Sequence, residues 1–212
     1  MVVCGAEENK KPILVLGIGN ILWADEGFGV RTVEYLAQHY DFPSHVGIMD
    51  GGTQGLYLMP YLEDLDTLII VDAVDFGLPP ATVHYVCGDE VPVAMGARKI
   101  SLHQTGFQEV LSLLALRGCM PRSIHLVGVQ PLTMEDYGGG LTAEVAAKIP
   151  VVTDKVLDLL KLECSVSVIP RQQGTETFGI SAIARDVYEA GRPSEKEACR
   201  YGDERFLTLL ER

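Results

Sequence analysis

Three short, continuous apolar runs limit what this chain can fold into. They are Ile13-Leu14-Val15-Leu16, Leu68-Ile69-Ile70-Val71 and Ile124-His125-Leu126-Val127-Gly128-Val129. A strand with one wet face alternates polar and apolar residues, whereas a run apolar at every position fits a strand covered on both faces. Helical patterns separate the runs, so the chain reads as strand, helix, strand in succession. That succession predicts an open, mainly parallel sheet with helices on both faces.

The weaker elements fit this frame. A helix is expected from about Glu26 to Tyr40, with Val33, Leu36, Ala37 and Tyr40 on one face and Asp25 as its N-cap. Val46–Met49 reads as a second strand ending in Asp50-Gly51-Gly52, with a short helix from Gln54 to Leu62. Ala81–Val86 alternates and suits an edge strand. Phe107, Val110, Leu111 and Leu114 mark a helix that starts at Thr105 and is closed by Gly118. Leu141–Leu162 is helical, and Pro150 kinks or divides it.

Length and charge narrow the classes. With 212 residues, 47% of them apolar, the chain can bury one sizeable core. Residues 1–169 are expected to form a single domain, and 170–212 a partly ordered tail with a short helix from Glu204 to Leu210. The first part holds 10 basic and 21 acidic residues, the tail 7 and 8, so the domain carries nearly all of the net charge of −12. That balance argues against nucleic acid and anionic membranes as partners. Five widely spaced cysteines without a C-x-x-C read as reduced thiols in a cytoplasmic protein. The first eleven residues lack the apolar core of a signal peptide, and no apolar stretch is long enough to span a bilayer.

Chemistry concentrates where the strands end. Glu26 follows Gly17-Ile18-Gly19-Asn20, Asp72 follows the clearest strand directly, and His103 lies in the loop-like Ser101-Leu102-His103-Gln104. Parallel neighbours share a carboxyl edge, and that edge is where open α/β sheets place their sites. Two carboxylates and an imidazole converging there have the composition of an open divalent-metal site. Two of them also have an ordinary reading, Glu26 as a first-turn helix acid and Asp72 as a cap or turn former, and the edge they share with His103 is what favours the site. Asp50 ends the second strand at the same edge, either supporting a ligand or ordering the Gly51-Gly52 turn. Asp75 is an even choice between site and solvent. His39 is expected to face water, His84 and His125 to be packed or surface strand residues, and His45 to enter a strand.

Other chemistries find little support. Gly17-x-Gly19 begins a dinucleotide fingerprint, but the third glycine position is Leu22, and acids occupy the helix start where a pyrophosphate would lie. Both glycines are then read as turn formers. There is no G-x-S-x-G, H-E-x-x-H or P-loop, and no cysteine has the context of a nucleophile.

The motifs Gly17-Ile18-Gly19-Asn20-Ile21-Leu22-Trp23-Ala24-Asp25-Glu26-Gly27-Phe28-Gly29-Val30-Arg31, Asp50-Gly51-Gly52-Thr53-Gln54-Gly55, Val71-Asp72-Ala73, Ser101-Leu102-His103-Gln104 and Leu126-Val127-Gly128-Val129-Gln130-Pro131 resemble the hydrogenase maturation endopeptidases over roughly residues 12–162. Leu22–Gly27 and Asp136-Tyr137-Gly138-Gly139 look most like the branch serving uptake hydrogenases. The resemblance implies a three-layer α/β/α sandwich around a twisted, mainly parallel five-stranded sheet. It implies a metal site of Glu26, Asp72 and His103, which also carry catalysis. It implies as substrate the nickel-loaded precursor of the nickel–iron hydrogenase large subunit, trimmed of a short C-terminal peptide. The nickel would arrive with the substrate, and zinc or cadmium could occupy the same ligands.

Asp50, Gly51, Gly52 and Gly55 are expected to bind substrate, since small residues let a peptide backbone approach closely. Which carboxylate serves as general base is left open. Two other readings use the same residues: a non-catalytic nickel-sensing chaperone, and a generic metal-dependent hydrolase of small peptides or nucleosides. A monomer is expected.

Overall fold

The computed structural model describes residues 12–97 and 102–171, with 187 and 190, and of residues 97 and 102–105 it describes the backbone alone. The first strand, β1 (Ile13–Ile18), is buried at all six positions. A 3-10 helix, Ala24–Gly27, leads into α1 (Phe28–His39), and short β2 (Tyr40–Asp41) precedes β3 (Val46–Gly52). A second 3-10 helix, Gly55–Leu58, continues into α2 (Met59–Leu62). Then come β4 (Thr67–Ala73), β5 (Val83–Cys87), α3 (Glu90–Ala97), α4 (Leu102–Arg117) and β6 (Ser123–Val129). The described chain closes with α5 (Ala143–Ala146), α6 (Ile149–Cys164) and β7 (Ile169–Pro170).

The central sheet has the order β3-β1-β4-β6-β5. Its first four strands are parallel, and only the edge strand β5 runs antiparallel. Alternation along the buried strands divides the core in two. Ile13, Val15, Ile69, Val71 and Val127 face Phe28, Val33 and Leu36 of α1 and Val152, Val156 and Leu159 of α6. Leu14, Leu16, Leu68, Ile70 and Leu126 face Leu58 and Leu62, Val91 and Met95 of α3, and Phe107, Val110 and Leu111 of α4. This is the expected three-layer sandwich, and each buried Leu, Ile, Val or Phe contributes roughly 1.5–3 kcal/mol.

Several local expectations are corrected. Asp25 does not cap a helix: α1 starts at Phe28 after Gly27, and Asp25 lies within the preceding 3-10 turn. Gly17 is no turn former but the level of β1 against which α1 packs, where a Cβ would meet the Gly29 carbonyl oxygen and Val33. Gly19 does fit the turn reading, with φ of 140° and no room for a Cβ beside the Glu26 carbonyl. The helix expected from Thr105 starts at Leu102, so His103 stands in the first turn of α4. Pro150 divides the last helical stretch, lying in the first turn of α6, where a missing N–H costs nothing.

The domain's end is tied back. β7 pairs with β2, and Arg171 donates to Asp41. The tail reading and its Glu204–Leu210 helix lie outside the described residues.

Candidate active site

The carboxyl ends of β3, β1 and β4 lie side by side, with Gly17 level with both Asp50 and Val71. Asp72 is one residue further on, level with Gly128 of β6, and is fully buried. Alternation puts Asp72 on the face of Leu68 and Ile70, the face covered by α4. The 3-10 helix holding Glu26 packs against β4. Asn20 N–H donates to the Glu26 carbonyl at 3.1 Å, so the loop folds over the sheet edge and buries the Glu26 side chain. Gly29 lets α1 sit close to this edge, since a Cβ there would collide with the carbonyl oxygens of Ile18 and Val71.

The third residue approaches from α4. Its Gly106 packs on Gly55, where an added Cβ would lie 3.7 Å from the Gly55 Cα. The first turn of α4, with His103, therefore abuts the Asp50–Gly55 segment. The His103 side chain is outside the described residues. Among the described residues no three metal-ligating side chains cluster. Glu26 and Asp72 are brought to one edge, and their donor chemistry, two buried carboxylates, suits a divalent cation.

Asp50 belongs elsewhere. It shares the parity of Val46 and Ile48, which pack on the α1 side, opposite to Asp72. Its Oδ1 accepts from Gly52 N–H at 2.8 Å. Burial raises its carboxyl above the usual range, and the Gly52 N–H and the positive charge of Arg31 pull it back. Arg31 is itself buried and donates to both oxygens of Glu34, at 2.9 and 3.2 Å. Of the two roles expected for Asp50, the hydrogen bond supports ordering the turn. Gly52 and Gly55 have positive φ, 47° and 53°, and Gly51 has no room for a Cβ beside Leu16.

Two positioning residues escaped the sequence reading. Asp25 is fully buried and accepts from Leu132 N–H, Thr133 N–H, Thr142 N–H and the Thr142 hydroxyl, at 2.7–3.1 Å. It fastens the loop after β6 to the turn that carries Glu26. Gln130, also buried, accepts from Phe76 and Leu78 N–H and donates to Asp75, fixing the loop after β4. Asp75 is thus half-buried and engaged. The only signal for Asp25 lay in its acidic type beside a glycine-rich turn, because its partners are more than a hundred residues away.

The other histidines follow expectation. His39 is exposed, His84 meets Phe76 edge-to-face, and His125 is buried between Tyr85 and Ser123. Cys87, Cys119 and Cys164 are free thiols. Among the described residues no helix is long and apolar enough to cross a membrane.

The fold is a mainly parallel α/β sandwich with buried acids at the carboxyl edge of its sheet, and comparison with known proteins places it. The family model for hydrogenase maturation proteases matches residues 30–159. The hydrogenase expression/formation protein HupD of Rhodobacter capsulatus is 50% identical over 195 residues, covering 92% of each chain. HoxM of Azotobacter vinelandii is 51% identical over 195 residues, covering 92% of this chain and 94% of its own. The solved structure of the hydrogenase maturating endopeptidase HybD from Escherichia coli superposes with a TM-score of 0.71 at 44% identity, over 76% of this chain and 98% of that one. The chain belongs to the hydrogenase maturation protease family. The HupD and HoxM matches fit the uptake-hydrogenase branch expected from Leu22–Gly27 and Asp136–Gly139.

Proposed function

We propose that this peptidase removes a short C-terminal peptide from the nickel-loaded precursor of the nickel–iron hydrogenase large subunit. The observation that carries the reading is the burial of Glu26 and Asp72 at one sheet edge in a member of this family. Glu26, Asp72 and His103 are the residues that would hold the substrate's nickel, or zinc or cadmium in its place. A divalent cation so held would polarise the scissile carbonyl and acidify a bound water.

The residues divide the remaining work. Asp72 sits on a hydrogen-bonded strand and is the fixed arm. Glu26 sits on the neighbouring 3-10 turn as the second carboxylate, and either acid could take the proton of the attacking water. The Gly51, Gly52 and Gly55 segment follows β3 at the same sheet edge and meets α4 at Gly55, and its small residues let a peptide backbone approach closely. Asp50 supports substrate binding by holding that turn. Free thiols accord with an enzyme working in the cytoplasm, and a monomer is the proposed state.

Intact-mass measurement of the precursor mixed with this protein, with and without nickel loaded, tests the reading. A C-terminal peptide lost only from the nickel-loaded sample is the expected result. Stable binding without a mass change would make the protein a nickel-sensing chaperone instead.

A further inference from the structure

Four large apolar side chains stand exposed beside the candidate site, and the mechanism does not use them. Leu22, Trp23, Leu132 and Tyr137 are 40%, 36%, 49% and 55% exposed. They come from two loops, one before the Glu26 turn and one after β6. The loops join as a small built unit. Trp23 and Tyr137 form an antiparallel β-bridge, Gly138 N–H donates to the Leu22 carbonyl at 2.7 Å, and Ala24 N–H donates to the Gly139 carbonyl at 3.0 Å. The two rings meet edge-to-face with centroids 5.0 Å apart. Beneath them the buried Asp25 carboxylate locks the same two loops together.

The unit is continuous with the site. Glu26 N–H donates to the Trp23 carbonyl at 2.9 Å, so the shelf and the acid share one turn of chain. A peptide whose bond reaches Glu26 comes close to this surface, since Trp23 and Glu26 lie on one hydrogen-bonded turn. Exposed apolar groups on a rigid backbone mark a binding surface, and Trp and Tyr are the side chains that dominate such surfaces. Water gains nothing from this arrangement, whereas an apolar side chain laid on the rings removes their exposed area from solvent.

We propose that Trp23 and Tyr137, flanked by Leu22 and Leu132, form a docking shelf for an apolar side chain of the substrate peptide next to the cleaved bond. The shelf sets substrate affinity, and it rests on the peptidase reading above.

Cleavage of the nickel-loaded precursor by Trp23→Ala, Trp23→Phe and Tyr137→Ala, read by intact mass over a range of precursor concentrations, tests it. The expected result is a KM raised about tenfold in both alanine variants with kcat within about twofold, and recovery in Trp23→Phe. Thermal melts run alongside, and if Trp23→Ala does not fold, Tyr137→Ala carries the test. An unchanged KM overturns the shelf. So does a fall in kcat at constant KM, which would make the rings a brace for Glu26. Self-association of the wild type that is lost in Tyr137→Ala would assign the surface to a second copy of this chain and overturns it too. Direct binding of the precursor separates the two claims: a wild type that binds without cutting overturns the peptidase reading, and the shelf is then judged by whether Tyr137→Ala weakens that binding about tenfold. A wild type that neither binds nor cuts overturns both.

Discussion

The two ends of the central sheet are built on opposite principles. At the amino end, charges are matched and near water: Arg122 donates twice to Asp66, both bonds at 3.0 Å, with its own side chain 73% exposed. A cleft of about 480 Å³ lies there, lined by His45, Asp66, Arg122 and Glu163 among others. At the carboxyl end, Asp25, Glu26 and Asp72 are all buried acids within one packed unit. Burying carboxylates is costly, and a fold does so stably only where donors or a cation answer them. Asp25 has four donors, so its cost is met structurally. The cleft thus lies at the end with ordinary surface chemistry, and the buried acids gather at the other.

The sharpest break between the ends is catalytic. Glu26→Gln and Asp72→Asn should each lower cleavage by on the order of 10²–10⁴-fold while the variant still folds. An enzyme assay paired with thermal melts reads both. Near-normal cleavage in either variant would remove that residue from the site.

Next in size is stability. Asp25→Ala takes the acceptor from three part-buried N–H groups and should cost about 2–3 kcal/mol, whereas Arg122→Ala, at the solvated end, should cost under about 1 kcal/mol. Urea denaturation of the two variants would order them. Equal effects would mean that the clamp is no stronger than a surface ion pair.

A smaller effect is pH-dependent. Burial first, with the Lys155 charge adding, holds the His125 imidazole below its ordinary pKa against the pull of Glu163. The unfolded chain then binds a proton that the folded chain refuses. Stability from this group is present above about pH 6.5 and falls as the pH drops below it. His125→Gln should flatten that part of the stability curve, and an unchanged slope would show that the imidazole titrates normally.

Smallest is Asp50→Asn. The Asp50 carboxyl is raised by burial, so the folded chain binds its proton more tightly, and the group's cost to stability grows as pH rises through its folded pKa. The amide keeps the Gly52 acceptor and removes that cost. Stability near neutral pH should hold or rise slightly, with a shallower slope in the acid range. A clear loss would mean that the negative charge itself, facing Arg31, holds the turn.

Much of the fold was legible because buried parallel strands announce themselves. Thr67–Val71 and Ile13–Leu16 have no polar alternation to confuse with a helix, and their order already implied the sandwich. Helix α3 was not legible: Pro92 and Gly96 break an eight-residue segment whose core contacts are Val91 and Met95. That Glu26 and Asp72 lie at the carboxyl edge of the sheet could be read from their places after strands. Asp25 could not, because a local cap and a clamp reaching Thr142 look the same in sequence. The face Asp50 takes was not legible, because parity at a strand end depends on register, which the turn residues alone do not set.

The central claim is that the two acids work with an imidazole from the first turn of α4. The most direct measurement is intact mass of the nickel-loaded precursor after incubation with His103→Ala, alongside a melt confirming that the variant is folded. The account predicts a precursor of unchanged mass beside a wild-type reaction that has lost its C-terminal peptide. A folded His103→Ala that trims the precursor at the wild-type rate would contradict it.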